Sequence, residues 1–155
     1  MSDVATPVLT GRFFEDVVVG EALPPVVYPL TVYRLVMAAG SNRDFNSIHH
    51  NTEYARGTGA AEMYANTSFL MSGWERCVRD WMGPGGSILS IRKFRMRSFN
   101  HVGDTMRVLA EVADARVESG VGIVEIAIRS ENSASVSVGP GIVAVTLPRR
   151  EKGQA

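Results

Sequence analysis

The stretch ANTSFLMSGWERCVRDW, residues 65–81, decides the fold class of this protein. Its apolar side chains recur at spacings of three and four residues, which predicts an amphipathic helix with one buried face. The run Gly83-Pro84-Gly85-Gly86 follows and indicates a firm helix end, because glycine and proline both disfavour continued helix. The apolar stripe consists of Phe69, Leu70, Gly73, Trp74, Cys77, Val78 and Trp81. We therefore predict one long helix over residues 65–81, with this stripe as its core face.

After Ser87 the period of the sequence changes from helix to strand. Four segments alternate between apolar and polar residues or are rich in β-branched ones, and Gly, Asp, Asn and Ser clusters separate them. These segments are residues 88–97, 105–116, 121–131 and 141–148. One long helix followed by strands at regular spacing indicates an α+β fold. We predict a hot-dog fold, in which an antiparallel sheet wraps around one long central helix.

Shorter elements are predicted before the long helix. They are a strand over 26–30, a helix over 32–39, a loop over 41–51 and a short helix over 52–56. Thr31 is the expected N-cap of the first helix, and Gly40 is its expected end. We expect a single domain over residues 11–148, with flexible tails over 1–10 and 149–155.

Length and composition are those of an ordinary globular protein. The chain has 155 residues, enough for one domain that folds without disulfides. Sixteen Lys and Arg balance sixteen Asp and Glu, so nothing favours nucleic acid or a membrane as partner. The lone cysteine, Cys77, excludes an intrachain disulfide and suits a reducing compartment. Residues 1–10 lack the features of a signal peptide, and no apolar run could span a bilayer. We therefore expect a cytoplasmic protein.

The loop RDFNSIHHN, residues 43–51, carries the candidate chemistry. Asp44 and His49 lie five residues apart and could converge on one small volume. Acid–base catalysis needs two such groups, one to take a proton and one to give it back. The spacing alone is equally typical of a turn that an aspartate and an asparagine stabilise. No metal-ligand cluster stands out in the sequence, so we expect no metal site.

The surroundings of this loop resemble the MaoC-like hydratase/dehydratase family. The signature of that family is close to Gly-Asp-x-Asn-Pro-Ile-His, with an alanine six positions further on. This chain has Asp44-Phe45-Asn46-Ser47-Ile48-His49 and then Ala55. The opening segment 11–21, the helix end Asp80-Trp81-Met82-Gly83-Pro84 and the run Gly103-Asp104-Thr105 are also similar to the family. The resemblance extends over residues 11–148.

The resemblance implies hydration of a trans-2-enoyl-CoA thioester, typically to the (R)-3-hydroxyacyl-CoA. No metal or redox cofactor is implied, and CoA enters as part of the substrate. Asp44 and His49 would polarise the attacking water and protonate the α-carbon, with the two roles unassigned. Asn46 would hold the loop or contact this pair. A backbone N–H at the start of the central helix would receive the thioester oxygen. The candidate donors are Thr67, which stands where the family has glycine, and Asn66 before it.

The altered run around Thr67 is similar to one branch of the family, the small catalytic subunit of actinobacterial steroid enoyl-CoA hydratases. That branch implies a bulky steroid thioester as the substrate. It also implies a heteromer with a second MaoC-like chain that has lost the catalytic Asp/His pair. A homodimer is the alternative assembly. Two other departures are Ser47 for proline, which removes no reactive group, and Asn51 for aspartate, which is also typical of a surface turn.

The other candidate residues also have ordinary structural explanations. Arg95 and Arg97 belong to a basic run that could bind the phosphates of CoA or could be a solvated strand face. We expect His50 and His101 to be surface or structural histidines, and Cys77 to be an inert packed thiol. Two further functions stay open, an acyl-CoA thioesterase on the same fold and a non-catalytic partner subunit.

Overall fold

The computed structural model of the protein describes residues 11–150. Five antiparallel strands form one sheet in the order β1-β3-β4-β5-β2. Short 3-10 turns at Phe14–Asp16 and Ser47–His49 complete the architecture. The helices and strands are β1 (Val26–Pro29), α1 (Val32–Ser41), α2 (Thr52–Gly57), α3 (Thr67–Met82), β2 (Ser87–Arg92), β3 (Thr105–Glu118), β4 (Val121–Glu131) and β5 (Val136–Leu147).

The sheet wraps around α3, so the predicted α+β hot-dog fold is confirmed. Every member of the apolar stripe of α3 is buried. One of its two tryptophans, Trp74, is fully buried, and its indole N–H donates to Ser130 Oγ on β4 at 2.9 Å. A Cβ on Gly73 would lie 3.2 Å from Met106 Cε, which shows how closely the helix approaches β3. The apolar period of this one helix thus places it at the centre of the core.

The long helix begins two residues later than predicted. Asn66 has extended backbone angles, and its side-chain Oδ1 accepts from the Phe69 N–H at 2.9 Å. This is an N-cap, which satisfies a donor that has no partner within the helix. The helix therefore starts at Thr67, and Asn66 stands just outside it.

Two strand boundaries also differ from the prediction. The strand predicted over 88–97 ends at Arg92, because Lys93 adopts a φ of +57° and turns the chain out of the sheet. The strand predicted from residue 141 begins at Val136 instead. It runs through Gly139 and Pro140, which the prediction left outside the strand. A Cβ on Gly141 would lie 2.7 Å from the Trp74 ring, so glycine is required there by packing.

The opening segment is bound to the end of α3 by a small polar network. Arg12 donates to both carboxylate oxygens of Glu21, at 2.8 and 2.6 Å, and its guanidinium lies 4.6 Å from the Trp81 ring. The Trp81 indole N–H donates to Glu21 at 3.2 Å. The hydrogen bonds from Arg12 hold the pKa of the Glu21 carboxyl below its ordinary value.

The predicted tails lie largely outside the described residues, which end at Arg150. The two residues of the second tail that are described form ion pairs with the 3-10 turn. Arg149 lies 3.3 Å from Glu15, and Arg150 lies 2.6 Å from Asp16. Within residues 11–150, no helix combines the length and the apolar composition that crossing a membrane requires.

Candidate active site

The loop between α1 and α2 positions Asp44 and His49. Arg43 has a φ of +56°, which reverses the chain after α1, and the Asp44 N–H donates to Ala39 O at 2.9 Å. Asn46 then caps the 3-10 turn, with its Oδ1 accepting from Ile48 N–H at 3.2 Å. The turn directs His49 inward, so that only 7% of it is exposed. Asn46 thus supports the loop through its own side chain.

The two candidate catalytic side chains are in contact. His49 Nε2 lies 3.2 Å from Asp44 Oδ2. The other ring nitrogen, Nδ1, lies 2.8 Å from the carbonyl oxygen of Tyr64. A carbonyl oxygen can only accept, so Nδ1 carries a hydrogen and Nε2 is the nitrogen that faces the carboxylate. The Tyr64 carbonyl therefore determines which nitrogen of His49 is free to exchange a proton.

This geometry allows the pair to hold one mobile proton. A carboxylate oxygen and an unprotonated Nε2 are both acceptors, and their contact at 3.2 Å becomes favourable when a proton lies between them. The Asp44 side chain is 36% exposed, whereas the His49 side chain is 9% exposed. The carboxylate is thus open to solvent and the imidazole is fixed, an arrangement suited to acid–base chemistry on a water molecule.

Asn66 is the third polar group at the pair. Its Nδ2 donates to Asp44 Oδ2 at 3.2 Å, and the residue is 3% exposed. The sequence assigned Asn66 only a backbone role, and this side-chain contact was missed. An asparagine directly before an apolar helical run is a typical N-cap, which was the available signal.

A cleft of about 420 Å³ opens beside the pair. His49 and the start of α3 line one part of it, including Thr67, and the irregular segment after β2 lines the rest, including Phe99. In the part of the chain that the structure describes, no acceptor contacts the N–H groups of Thr67 and Ser68. Free N–H groups at a helix start, where the helix dipole is positive, favour an oxygen that gains negative charge.

A second groove, of about 600 Å³, carries the predicted phosphate-binding residues. Lys93, Arg95 and Arg97 line it, and Arg97 also lines the cleft at His49. The Arg97 guanidinium donates to the carbonyl oxygen of Gly139, which holds the side chain between the two openings. Among residues 11–150, none of these three cations pairs with an acidic side chain.

The remaining candidates contribute no reactive group. His50 is exposed, and His101 is half-buried against Tyr64 and Phe99, where a surface position was expected. Burial raises the pKa of the Cys77 thiol to about 11, in agreement with an inert packed residue. Within residues 11–150, no group of three His, Cys, Asp or Glu side chains could hold a metal ion.

Solved structures with this fold include hydratases and dehydratases. The ChsH1-ChsH2 complex from Mycobacterium tuberculosis matches with a TM-score of 0.75 at 26% identity, over 84% of this chain and 98% of the matched one. R-hydratase PhaJ1 from Pseudomonas aeruginosa matches with a TM-score of 0.79 at 21% identity, over 90% and 88%. The MaoC-like dehydratase from Rhodospirillum rubrum matches with a TM-score of 0.76 at 19% identity, over 91% and 99%.

No family model matches the sequence, and a search of curated proteins finds no significant match. The structural matches nevertheless cover most of this chain and nearly all of each matched chain. They confirm, at the level of the fold, the resemblance that the loop around Asp44 and His49 indicates. This chain therefore shares the hot-dog fold of these MaoC-like and R-hydratase structures.

Proposed function

We propose that this protein adds water to a trans-2-enoyl-CoA thioester and forms the (R)-3-hydroxyacyl-CoA. The observation that carries the proposal is the contact between Asp44 and His49, with the imidazole oriented by the Tyr64 carbonyl beside the open start of α3. Water addition to a conjugated thioester needs a base, an acid and a group that stabilises the enolate oxygen. The cleft and the pair beside it offer all three.

The proposed mechanism moves one proton through the pair. The Asp44 carboxylate accepts a proton from water while the water oxygen bonds to the β-carbon of the substrate. The Nε2–H of His49 then protonates the α-carbon, and the proton on Asp44 passes to His49 across their 3.2 Å contact to restore the pair. The N–H of Thr67, aided by the α3 dipole, stabilises the thioester oxygen as it gains enolate charge. Because adding water involves no net oxidation or reduction and the backbone N–H stabilises the enolate, the proposed mechanism requires neither a metal nor a redox cofactor.

The deciding assay compares an enoyl-CoA with the saturated acyl-CoA of the same length. A hydratase gives a 3-hydroxyacyl-CoA from the first and leaves the second unchanged. Release of free CoA from both substrates, with no hydroxylated product, would establish the thioesterase alternative. A chain that alters neither substrate alone, but restores activity to a second MaoC-like chain, would be the non-catalytic partner.

We further propose that Lys93, Arg95 and Arg97 bind the phosphates of CoA. These cations line one groove, and Arg97 connects that groove to the cleft at His49. Arginine binds phosphate with two parallel hydrogen bonds, and each charge-assisted contact contributes about 1.5–3 kcal/mol. Arg95 is the cleanest position to test, because Arg97 also donates to the Gly139 carbonyl and supports the fold there.

Arg95→Ala is expected to raise KM for the CoA thioester about tenfold with little change in kcat, since tenfold corresponds to ~1.4 kcal/mol of binding. Steady-state kinetics measure this directly. The same acyl group on pantetheine, which lacks the nucleotide phosphates, should show no difference between the wild type and the variant. Arg129→Ala is the control, because that exposed arginine lies on β4 outside the groove and pairs with Glu131 at 2.7 Å. An equal effect of both variants, or an unchanged KM for Arg95→Ala, would place the phosphates elsewhere.

We propose a bulky, steroid-like acyl group and assembly with a second MaoC-like chain, with a homodimer as the alternative. Three observations support an assembly. The complex named ChsH1-ChsH2 is matched at 26% identity. Strands β1 and β2 are the sheet edges, and free edges favour pairing with another chain. One side of α1 and the loop after it expose apolar side chains, namely Val32, Tyr33, Val36, Met37 and Phe45.

The same assay separates these assemblies when it is run with short-chain and steroid enoyl-CoA, with and without a co-expressed MaoC-like chain. Activity on the steroid substrate only in the co-expressed sample supports the heteromer. Full activity of the chain alone on short substrates, with the molecular mass of a dimer in light scattering, supports the homodimer.

A further inference from the structure

The Asn66 side chain joins two parts of the proposed site. Its Oδ1 accepts from the Phe69 N–H at 2.9 Å and so caps α3. Its Nδ2 donates to Asp44 Oδ2 at 3.2 Å, across 22 positions of sequence. The cap determines the orientation of the amide, because only Oδ1 can accept from a backbone N–H. The amino group is therefore held toward Asp44, and the residue is buried while holding it.

The donors around the Asp44 carboxylate come from three elements. His49, on the 3-10 turn, and Asn66, before α3, both face Oδ2 at 3.2 Å. The Asn46 N–H, within the loop itself, lies 3.4 Å from Oδ1, at the limit of a hydrogen bond. Arg43, the neighbour of Asp44, is exposed and contacts no acidic side chain in residues 11–150. Asn66 is thus the neutral side-chain donor to the carboxylate, and it does not exchange protons.

A fixed donor on Oδ2 has two physical consequences. It supplies a hydrogen bond to the carboxylate oxygen, and hydrogen bonds to charged groups are among the stronger ones. It also limits rotation of the carboxylate about its Cβ–Cγ bond, so that one oxygen stays at His49 and the other remains open for water. The donor belongs to the N-cap of α3, and the first residue of that helix, Thr67, lines the cleft. Carboxylate and helix start are therefore held by one buried side chain.

We propose that Asn66 is a positioning residue that orients Asp44 and fixes its distance from the start of α3, where the thioester oxygen would bind. This inference rests on the proposed hydration reaction. It gives the Asn66 side chain a role in catalysis that is separate from capping the helix, and the two roles can be separated by substitution.

Asn66→Asp and Asn66→Ser test the proposal, because Asp and Ser cap helices about as well as Asn. Both variants keep an oxygen for the Phe69 N–H and lose the amide donor to Asp44. We expect kcat to fall about ten- to hundredfold, the range for losing one hydrogen bond to a charged group, with KM little changed. On the acidic side of the pH–rate profile, the midpoint should move to higher pH in both variants. The shift should be larger in Asn66→Asp, which brings a second carboxylate toward Asp44.

Asn51→Asp is the matched control. Asn51 caps α2 in the same manner, with its Oδ1 accepting from the Tyr54 N–H at 2.9 Å, and it is exposed. Within residues 11–150 its side chain contacts neither Asp44 nor His49. The chemical change is identical, so kcat and the pH profile should equal those of the wild type. A loss in Asn66→Asp that this control shares would be an effect of the added charge alone, independent of contact with Asp44, and would overturn the proposal.

A readout without turnover separates this inference from the proposed reaction. Nuclear magnetic resonance can follow the titration of the His49 ring, with His50 and His101 as internal references. The His49 midpoint should move up in Asn66→Asp, because an added carboxylate favours the imidazolium, and should stay constant in Asn51→Asp. An inactive wild type with this shift refutes only the hydration reaction. If Asn66→Ser has the kcat, pH profile and His49 titration of the wild type, the positioning role is refuted. Asn66→Ser adds no charge, so it also serves as the deciding variant if Asn66→Asp does not fold.

Discussion

Asp44→Asn is expected to lower kcat for hydration at least about a hundredfold, the usual scale for a positioned acid–base group. The substitution keeps the size of the side chain and removes its ability to take a proton from water. It also replaces a charged acceptor for the His49 Nε2–H with a neutral amide. Because Asp44 is partly exposed and lies in a loop, the free energy of unfolding should change little. Initial rates at saturating enoyl-CoA, with circular dichroism as the folding check, give the measurement.

Three further substitutions make this test specific. Asp114→Asn removes an exposed carboxylate on β3, a different element from the loop, where Asp114 pairs with Arg116 at 2.7 Å. This variant should leave kcat unchanged. His49→Gln should lose activity on the same scale as Asp44→Asn, whereas His50→Gln changes the adjacent exposed histidine and should not. Wild-type rates in both Asp44→Asn and His49→Gln would show that the chemistry lies elsewhere on the molecule.

Trp74→Ala is expected to lower the free energy of unfolding by about 3–5 kcal/mol, the range for removing a buried large aromatic side chain. Trp74 is fully buried and packs edge-on against Phe94, with ring centroids 5.0 Å apart. The substitution would leave a cavity beside Gly139 and Gly141, both of which approach the ring closely. It would also leave the Ser130 hydroxyl without its indole donor. Urea unfolding followed by circular dichroism measures the loss.

Trp74→Phe and Tyr33→Ala calibrate that result. The phenylalanine variant keeps most of the packing and loses the hydrogen bond to Ser130, so its loss should be clearly smaller, about 1–3 kcal/mol. Tyr33 is an aromatic residue on α1 that is 75% exposed, and its truncation should change stability by less than about 0.5 kcal/mol. A Trp74→Ala loss no larger than that of Tyr33→Ala would contradict the central position of α3 in the core.

The stability of the core and the geometry of the site depend on the same helix. Trp74 and Gly73 hold α3 against the sheet, and the start of α3 supplies both Thr67 to the cleft and the cap Asn66 to Asp44. A shift of α3 would therefore change the distance between the proton-transferring pair and the proposed oxyanion donor. The Arg12–Glu21 pair binds the other end of the same helix through Trp81.

Local patterns in the sequence determined the long helix, the buried face of that helix and the strand-rich second half of the chain. The period of an amphipathic helix is set by residues close together in the sequence, so the apolar stripe from Phe69 to Trp81 could be predicted. Met82 is also buried on this face and was left out. The candidate pair could also be found, because Asp44 and His49 lie in one short loop. The same local logic was wrong at the start of β5, which was predicted at Gly141. Gly139 lies within the strand instead and approaches the Trp74 ring closely.

Only the tertiary structure decided how the parts of the site are joined. The ring of His49 is oriented by a carbonyl 15 residues away, and Asp44 is held by an amide 22 residues away. Such contacts follow from how α3 packs inside the sheet, which no local spacing encodes. The sequence by itself therefore determined which residues carry the proposed chemistry. Packing decided which nitrogen of His49 faces Asp44, and that the cap of the central helix is also the support of the carboxylate.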